Sequence, residues 1–297
     1  MATQSNLHGI IFLIIGAGVF VLNDSLMKLA IHDAPPFQVL FMRGVSGCLW
    51  ALPVIMAMGN LKDLPAAFNR WVLLRGALEV VAILCFIIAL PRVPIGDLTA
   101  IFQTTPLLII LGMALIHGER VGMDRVALII FGFSGALMVA QPGGIGASPY
   151  ALIGFIVALF AAMRDLAGRR MPGSVPVLVA TLATMVLVML AAAGVGAVAE
   201  TWVMPSGRVI GLMAAAGLFM MLGHTLTFLA FRHASAQAVA PFYYAFMIWA
   251  VFLGFVIFGD VPNWLSLAGM IVVLASGLGV IMLERRAPAA LKVPATP

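Results

Sequence analysis

Residues 89–121 read ALPRVPIGDLTAIFQTTPLLIILGMALIHGERV. Pro91 and Pro94 bracket Arg92 and close off the apolar run that ends at Leu90, because proline and its preceding residue stop a helix. A second apolar run starts at Ile95 and lasts past 20 residues, long enough to cross the roughly 30 Å hydrocarbon core of a bilayer. Gly118-Glu119-Arg120 then returns the chain to water. Inside this run sit Gln103, Thr104, Thr105 and Pro106. Proline frees the carbonyl four residues earlier, that of Phe102, so the middle of this helix must offer a polar spot to a partner or a cavity. The same order of features returns at residues 230–262, AFRHASAQAVAPFYYAFMIWAVFLGFVIFGDVP.

Outward from these two stretches, the 297 residues divide into ten such blocks, predicted at 9–30, 36–58, 70–90, 95–117, 122–140, 149–170, 175–198, 208–231, 236–258 and 263–283. Of all residues 63% are hydrophobic and only 9% charged, far from the quarter expected of a soluble domain. The composition excludes an ordinary soluble enzyme, a disordered chain and a fibrous one. Linkers are short and carry Pro, Gly, Asn and Ser, and no soluble domain is inserted. The first block has no Lys or Arg before it and is followed by nine similar ones, so it reads as a retained helix and not a cleaved signal. Residues 285–297 read as a short tail.

The net charge of +5 belongs to scattered loop residues, so no nucleic-acid surface is expected. Lys62, Arg70, Arg120, Arg125, Arg169, Arg170, Arg232, Arg285, Arg286 and Lys292 fall on one side, against Lys28, Arg92 and Arg208 on the other. The positive-inside rule then places both termini in the cytoplasm of a bacterial-type inner membrane. Cys48 and Cys85 lie within apolar blocks and suggest neither disulfide nor metal.

A constant offset of 141 residues lays the first half on the second without a gap. It carries Asp24 to Asp165, Pro35 to Pro176, Gly76 to Gly217, Gln103 to Tyr244 and Gly118 to Gly259. Identities are sparse, but the block edges stay aligned over the whole length. Five helices per half is an odd number, so the second half enters the membrane from the opposite side. The expected fold is all-α, with ten transmembrane helices in two inverted five-helix repeats: 1–143, 144–284 and a cytoplasmic tail, 285–297. That is a recurrent carrier plan, with the substrate site between the halves.

The stretch 89–121, the following GFSGALMVAQPG (132–143) and the second copy at 230–262 resemble the EamA repeat of the drug/metabolite transporter superfamily. The shared features are the Ala-Leu helix end, the membrane-embedded Pro106 and the Gly118-Glu119 helix end. The second copy departs in two places: Met247 stands where the second proline would fall, and Asp260 replaces Glu. The resemblance spans essentially the whole chain and implies a ten-helix metabolite carrier. Members include exporters of amino acids and other small metabolites, and some importers.

Charged groups inside a bilayer cost about 2.5–3.5 kcal/mol each on insertion scales, and so face a partner or a cavity. Asn23, Asp24, Arg43 and Gln103 are placed in the outer half, Glu79 near the midplane, and Arg164, Asp165, His224 and Tyr244 in the inner half. Asp24 and Arg43 could close the outer path, hold a zwitterion, or form a static ion pair. Glu79 has Arg75 one turn earlier and either pairs with it or couples transport to protons. Arg164 and Asp165, with Arg169 at i+4, read as a solvated cluster or an inner gate. His224 reads as a helix–helix hydrogen-bond former or a substrate contact. In the ninth helix Tyr244 and Trp249 could wall the substrate site. The small residues Gly132, Ser134, Gly135, Gly269, Ser276, Gly277 and Gly279 are assigned to close helix packing.

No phosphate-binding glycine loop, HExxH, GxSxG or cluster of metal ligands occurs, and no ring of charges suggests a channel. An enzyme is not expected, nor a cofactor or a metal. The expected function is a secondary transporter, an exporter of small metabolites. Amino acids with aromatic or bulky neutral side chains lead, and nucleosides, vitamins or drug-like compounds are the alternative. Its partners are membrane lipids, the small-molecule substrate and, through Glu79, protons.

Overall fold

In the computed structural model, residues 2–117, 122–141, 148–234 and 236–286 are described. The helix end at Gly118-Glu119, Arg120, the turn at Pro142-Gly143-Gly144 and the tail beyond Arg286 lie outside these residues.

Ten apolar spans are found among the described residues, each edge within about four residues of the sequence expectation. Numbered as crossings they are α1 (Ala2–Ala30), α2 (Pro36–Ala57), α3 (Arg70–Ala89), α4 (Ile95–Phe102 and Thr105–His117), α5 (Met123–Ala140), α6 (Ile153–Gly168), α7 (Val177–Ala199), α8 (Gly207–His233), α9 and α10 (Trp264–Arg286). Crossing α9 has four parts: Ala236–Val239, a 3-10 turn Ala240–Tyr244, Ala245–Leu253 and a π turn Gly254–Phe258. The α2–α3 linker holds a 3-10 segment, Asn60–Phe68.

The helix contacts repeat under exchange of the halves. The main pairs are α1 with α8 and α3 with α6, α2 with α8 and α3 with α7, α1 with α9 and α4 with α6, and the self-related pairs α2–α7, α4–α9 and α5–α10. Adding five to the helix number turns each pair into another of the same set. That is what two inverted repeats about an in-plane axis require.

Two self-related crossings show how sequence sets the packing. At α5–α10, a Cβ on Gly269 would strike the Gly135 carbonyl and the Met138 and Val139 side chains, and Ser276 Oγ donates to the Leu128 carbonyl at 2.7 Å. The small residues therefore pack within the chain. At α4–α9, Gly96 abuts Val251 and Gly254 abuts Ile95. In lipid there is no hydrophobic force between helices, so such close backbone approach is what holds them together.

Both self-related helices α4 and α9 are broken, and at repeat-related places. In α4 the break follows Phe102. The carbonyl freed by Pro106 accepts from Thr105 Oγ1 at 2.6 Å, and Thr104 Oγ1 caps the Ile101 carbonyl at 2.8 Å. Pro106 itself is exposed. In α9 the proline missing at Met247 is replaced by Pro241, six residues earlier, and the 3-10 turn ends at Tyr244, the partner of Gln103 under the offset. The two breaks meet: Gln103 Nε2 donates to the Tyr243 carbonyl at 3.0 Å.

On the face opposite the amino terminus, the extended segment after α7 folds over the start of α2. Glu200 accepts from the Phe37 and Gln38 amides at 3.0 and 3.2 Å, which caps α2. Gln38 and Val203 exchange two further hydrogen bonds. Arg208 pairs with Asp33 there, and Arg92 with Tyr150.

Candidate functional site

Polar side chains from seven helices converge midway through the bundle, around the junction of the two halves. Glu79 on α3 lies in the middle of its span. Its Oε2 accepts from Arg164 Nη1 of α6 at 2.6 Å, and Arg164 Nε also donates to Asp165 Oδ1 at 2.8 Å. These side chains are mostly shielded, at 24% exposure for Glu79 and 19% for Arg164. Two charge-assisted bonds to one planar guanidinium fix its orientation.

This departs from helical spacing. Arg75, one turn before Glu79, does not pair with it: Arg75 Nη1 donates to Thr184 Oγ1 of α7 at 3.0 Å, and Thr184 in turn bonds the Ala180 carbonyl at 2.9 Å. Asp165 likewise bonds its neighbour Arg164 and not Arg169. The reason is the α3–α6 crossing, which brings a guanidinium onto Glu79 from outside its own helix.

Asp24 on α1 repeats the arrangement at its symmetry mate. Asn23 Nδ2 donates to Asp24 Oδ1 at 2.8 Å, as Arg164 Nε does to Asp165 at the same distance. Asp24 makes no ion pair with Arg43, so neither the closed outer pair nor the static one is formed. Arg43 is 5% exposed. Among the described residues its guanidinium has no hydrogen-bond or ion-pair partner, and its Nε is buried and unsatisfied. The carboxylates whose charge reaches it are Asp24 and Glu79.

His224 on α8 stands in the same field, reached by Arg75, Glu79, Arg164 and Arg43. It makes no hydrogen bond among the described residues. Its ring meets the edge of Phe20 at 4.9 Å between centroids and 84°. Phe20 stacks on Phe246 at 5.9 Å, and Phe246 on Tyr243 at 6.3 Å. This row of rings lies beside the charges, and the charges of Asp165 and Arg164 reach the Tyr243 phenol.

Two expected aromatic contacts stand elsewhere. The Tyr244 hydroxyl occupies the notch left by Gly277 in α10. Trp249 Nε1 donates to the Ile14 carbonyl at 3.0 Å, with its indole against Gly18. Both line a cleft of about 300 Å³ between α1, α9 and α10, at the exposed Ile248. The structure therefore brings together Asn23, Asp24, Arg43, Glu79, Arg164, Asp165 and His224, ties Gln103 into the adjoining helix break, and sets Tyr244 and Trp249 apart. Arg75, Phe20, Tyr243 and Phe246 join the cluster without having been singled out as site residues. Tyr243 and Phe246 carried a signal, being in the aromatic run of α9; Phe20 is one apolar residue among many.

Beyond the cluster, toward the face opposite the amino terminus, Lys28 is 8% exposed. It donates to the Val93 carbonyl at 2.9 Å, pairs with Asp260 at 3.5 Å and lies over the Phe258 ring at 4.8 Å. It ties α1 to the end of α9 and to the α3–α4 turn. No group of three or more potential metal ligands occurs among the described residues.

Ten spans, a contact set that maps onto itself, paired helix breaks and a buried polar centre define an inverted-repeat membrane transporter. The EamA-like transporter family model matches the chain twice, over residues 7–141 and 148–282. The chain belongs to that family. It is 26% identical over 279 residues to the pseudopaline exporter CntI of Pseudomonas aeruginosa, covering 90% of this chain and 94% of the relative. It is 29% identical over 261 residues to a riboflavin transporter of Rhizobium johnstonii, covering 88% and 84%. To an S-adenosylmethionine uptake transporter of Rickettsia bellii it is 24% identical over 283 residues, covering 92% and 95%. A solved crystal structure has the same fold, at a TM-score of 0.66 and 19% identity over 96% of this chain and 98% of that one. The protein is an integral membrane transporter of small metabolites and not an enzyme.

Proposed function

We propose that the chain is a secondary exporter of zwitterionic metabolites, amino acids first among them, working by alternating access. The observation that carries this is Arg43: a guanidinium buried between the halves, without a hydrogen-bond or ion-pair partner among the described residues, beside an Asp24 that accepts there from its neighbour Asn23. An unpaired buried charge is costly, and a ligand carboxylate would satisfy it with two parallel hydrogen bonds. Asp24 would take the ammonium, and the charge of Arg43 reaches His224. The row of Phe20, Tyr243 and Phe246 favours an aromatic or bulky neutral side chain next to that head group. The halves 1–143 and 144–284 would rock about the α4–α9 crossing. The bias of ten Lys and Arg on one side against three on the other supports an inner-membrane carrier with both termini in the cytoplasm.

One observation favours a second reading. The aromatic row equally suits a flat ring system, and two relatives are named for riboflavin and S-adenosylmethionine. S-adenosylmethionine itself ends in an amino acid head group, so one Arg43–Asp24 site could serve both readings. Counterflow of labelled L-phenylalanine into liposomes loaded with unlabelled competitors tests them. Exchange inhibited by neutral amino acids supports the first. Exchange of riboflavin in the absence of any amino acid exchange supports the second. Absence of exchange with amino acids, riboflavin and S-adenosylmethionine, from folded protein, refutes both.

A further inference from the structure

Glu79 is the one carboxylate in the cluster within electrostatic reach of two guanidinium groups carried by other helices, Arg164 of α6 and Arg43 of α2. Its Oε2 is held by Arg164 at 2.6 Å. Arg43 has no hydrogen-bond or ion-pair partner among the described residues, and its Nε is buried and unsatisfied. The nearby Arg75, whose charge also reaches Glu79, donates to Thr184 at 3.0 Å. The arrangement is also one-sided. Under the repeat offset Glu79 corresponds to Met220 and Arg164 to Asn23, so the related α1–α8 crossing has no such ion pair.

We propose that Glu79 is an internal rival of the substrate: its carboxylate and the carboxylate of the bound metabolite compete for Arg43. This rests on Arg43 being the carboxylate receptor proposed above. While Arg164 holds Glu79, Arg43 is open and binds substrate. When the halves rock and α3 parts from α6, Glu79 loses Arg164 and takes Arg43. The substrate carboxylate is displaced on the side where α3 and α6 separate. Opening and unloading thereby become one event. In the return step substrate or Arg164 reclaims its partner. No bond is made or broken and no ion is consumed; a buried carboxylate changes guanidinium partner at each half-cycle.

The test is binding and counterflow in liposomes for the parent and four variants, with labelled L-phenylalanine, riboflavin and S-adenosylmethionine as probes. Glu79→Gln removes the rival. We expect it to bind L-phenylalanine or S-adenosylmethionine, whichever the parent binds, about tenfold more tightly, a gain of about 1.4 kcal/mol, while counterflow falls by about the same factor; binding by the parent of riboflavin alone, which has no carboxylate, overturns the proposal. Arg164→Gln frees the rival and weakens binding about tenfold. The double variant Glu79→Gln/Arg164→Gln regains tight binding, which a structural ion pair would not do. Unchanged or weaker binding in both Glu79→Gln and the double variant overturns the proposal. If Glu79→Gln does not fold, the contrast between Arg164→Gln and the double variant decides alone. Arg43→Gln separates the two layers: parent-like binding by that variant overturns the receptor assignment itself, whatever Glu79 does. Absence of binding of every probe by folded parent overturns both.

Discussion

Removing Arg164 should cost stability by an amount that depends on whether Glu79 is still charged. In the parent the guanidinium donates to Glu79 at 2.6 Å and to Asp165 at 2.8 Å, with the Glu79 and Arg164 side chains only 24% and 19% exposed. Breaking a buried pair by deleting one partner costs about 3–5 kcal/mol, because the other charge is left uncompensated. Here the cost is smaller. Glu79 keeps Arg75 within electrostatic reach, and Arg164 keeps Asp165. We expect about 2 kcal/mol for Arg164→Gln and about 2 kcal/mol for Glu79→Gln, with about 1 kcal/mol for the pair changed together, since neutralising both leaves no orphan charge. The coupling is then about 3 kcal/mol, far outside the few tenths expected of independent sites. The assay is reversible unfolding in mixed micelles, followed by tryptophan fluorescence for the parent, both single variants and the double. Additive losses would refute the reasoning, and would mean that Glu79 and Arg164 do not hold α3 to α6.

Three further outcomes are expected. Gln103→Leu removes the hydrogen bond to the Tyr243 carbonyl; such a bond contributes about 0.5–1.5 kcal/mol, and counterflow should fall while Gln103→Glu, which cannot donate when ionised, fails likewise. Gly277→Ala drives a methyl into the Tyr244 hydroxyl; overpacking costs about 1–3 kcal/mol, and adding Tyr244→Ala should restore part of it, whereas a loss that Tyr244→Ala leaves untouched would show that the notch is not occupied as described. Lys28→Met unties α1 from Asp260 and the Val93 carbonyl; labelling of a cysteine introduced at Val93, which is 3% exposed, should rise, and unchanged labelling would show that Lys28 does not hold that face together.

The fold was legible because the bilayer leaves so little choice. A span must be apolar and about 20 residues long, and every backbone group must be paired inside it. Block lengths, prolines and one constant offset were therefore enough for ten spans in two halves. The members of the buried polar cluster were legible for a related reason: a charge in lipid needs a cause, so Asp24, Arg43, Glu79, Arg164, Asp165 and His224 stood out from their neighbours. Which of them touch was not legible. Glu79 and Arg75 lie on one helix face by spacing, yet Glu79 meets a residue 85 positions away, because a helix crossing outranks a helical turn. The aromatic wall failed at the resolution of a single residue. Tyr243 and Tyr244 are adjacent, and the 3-10 turn at Ala240–Tyr244 turns one toward the charges and the other into the Gly277 notch. Depth in the span and the repeat offset do not tell two adjacent rings apart. Phe20 left no trace at all, since an apolar residue in an apolar span marks nothing.

The most direct measurement is the affinity of reconstituted parent, Arg43→Lys and Arg43→Gln for labelled L-phenylalanine, riboflavin and S-adenosylmethionine, read by scintillation proximity and paired with counterflow. We expect saturable binding in the parent of at least one carboxylate-bearing probe, a loss of about tenfold in affinity for Arg43→Lys, which keeps the charge without the planar fork, and a larger loss for Arg43→Gln. Equal affinity in all three proteins would contradict a carrier whose substrate carboxylate is received by Arg43.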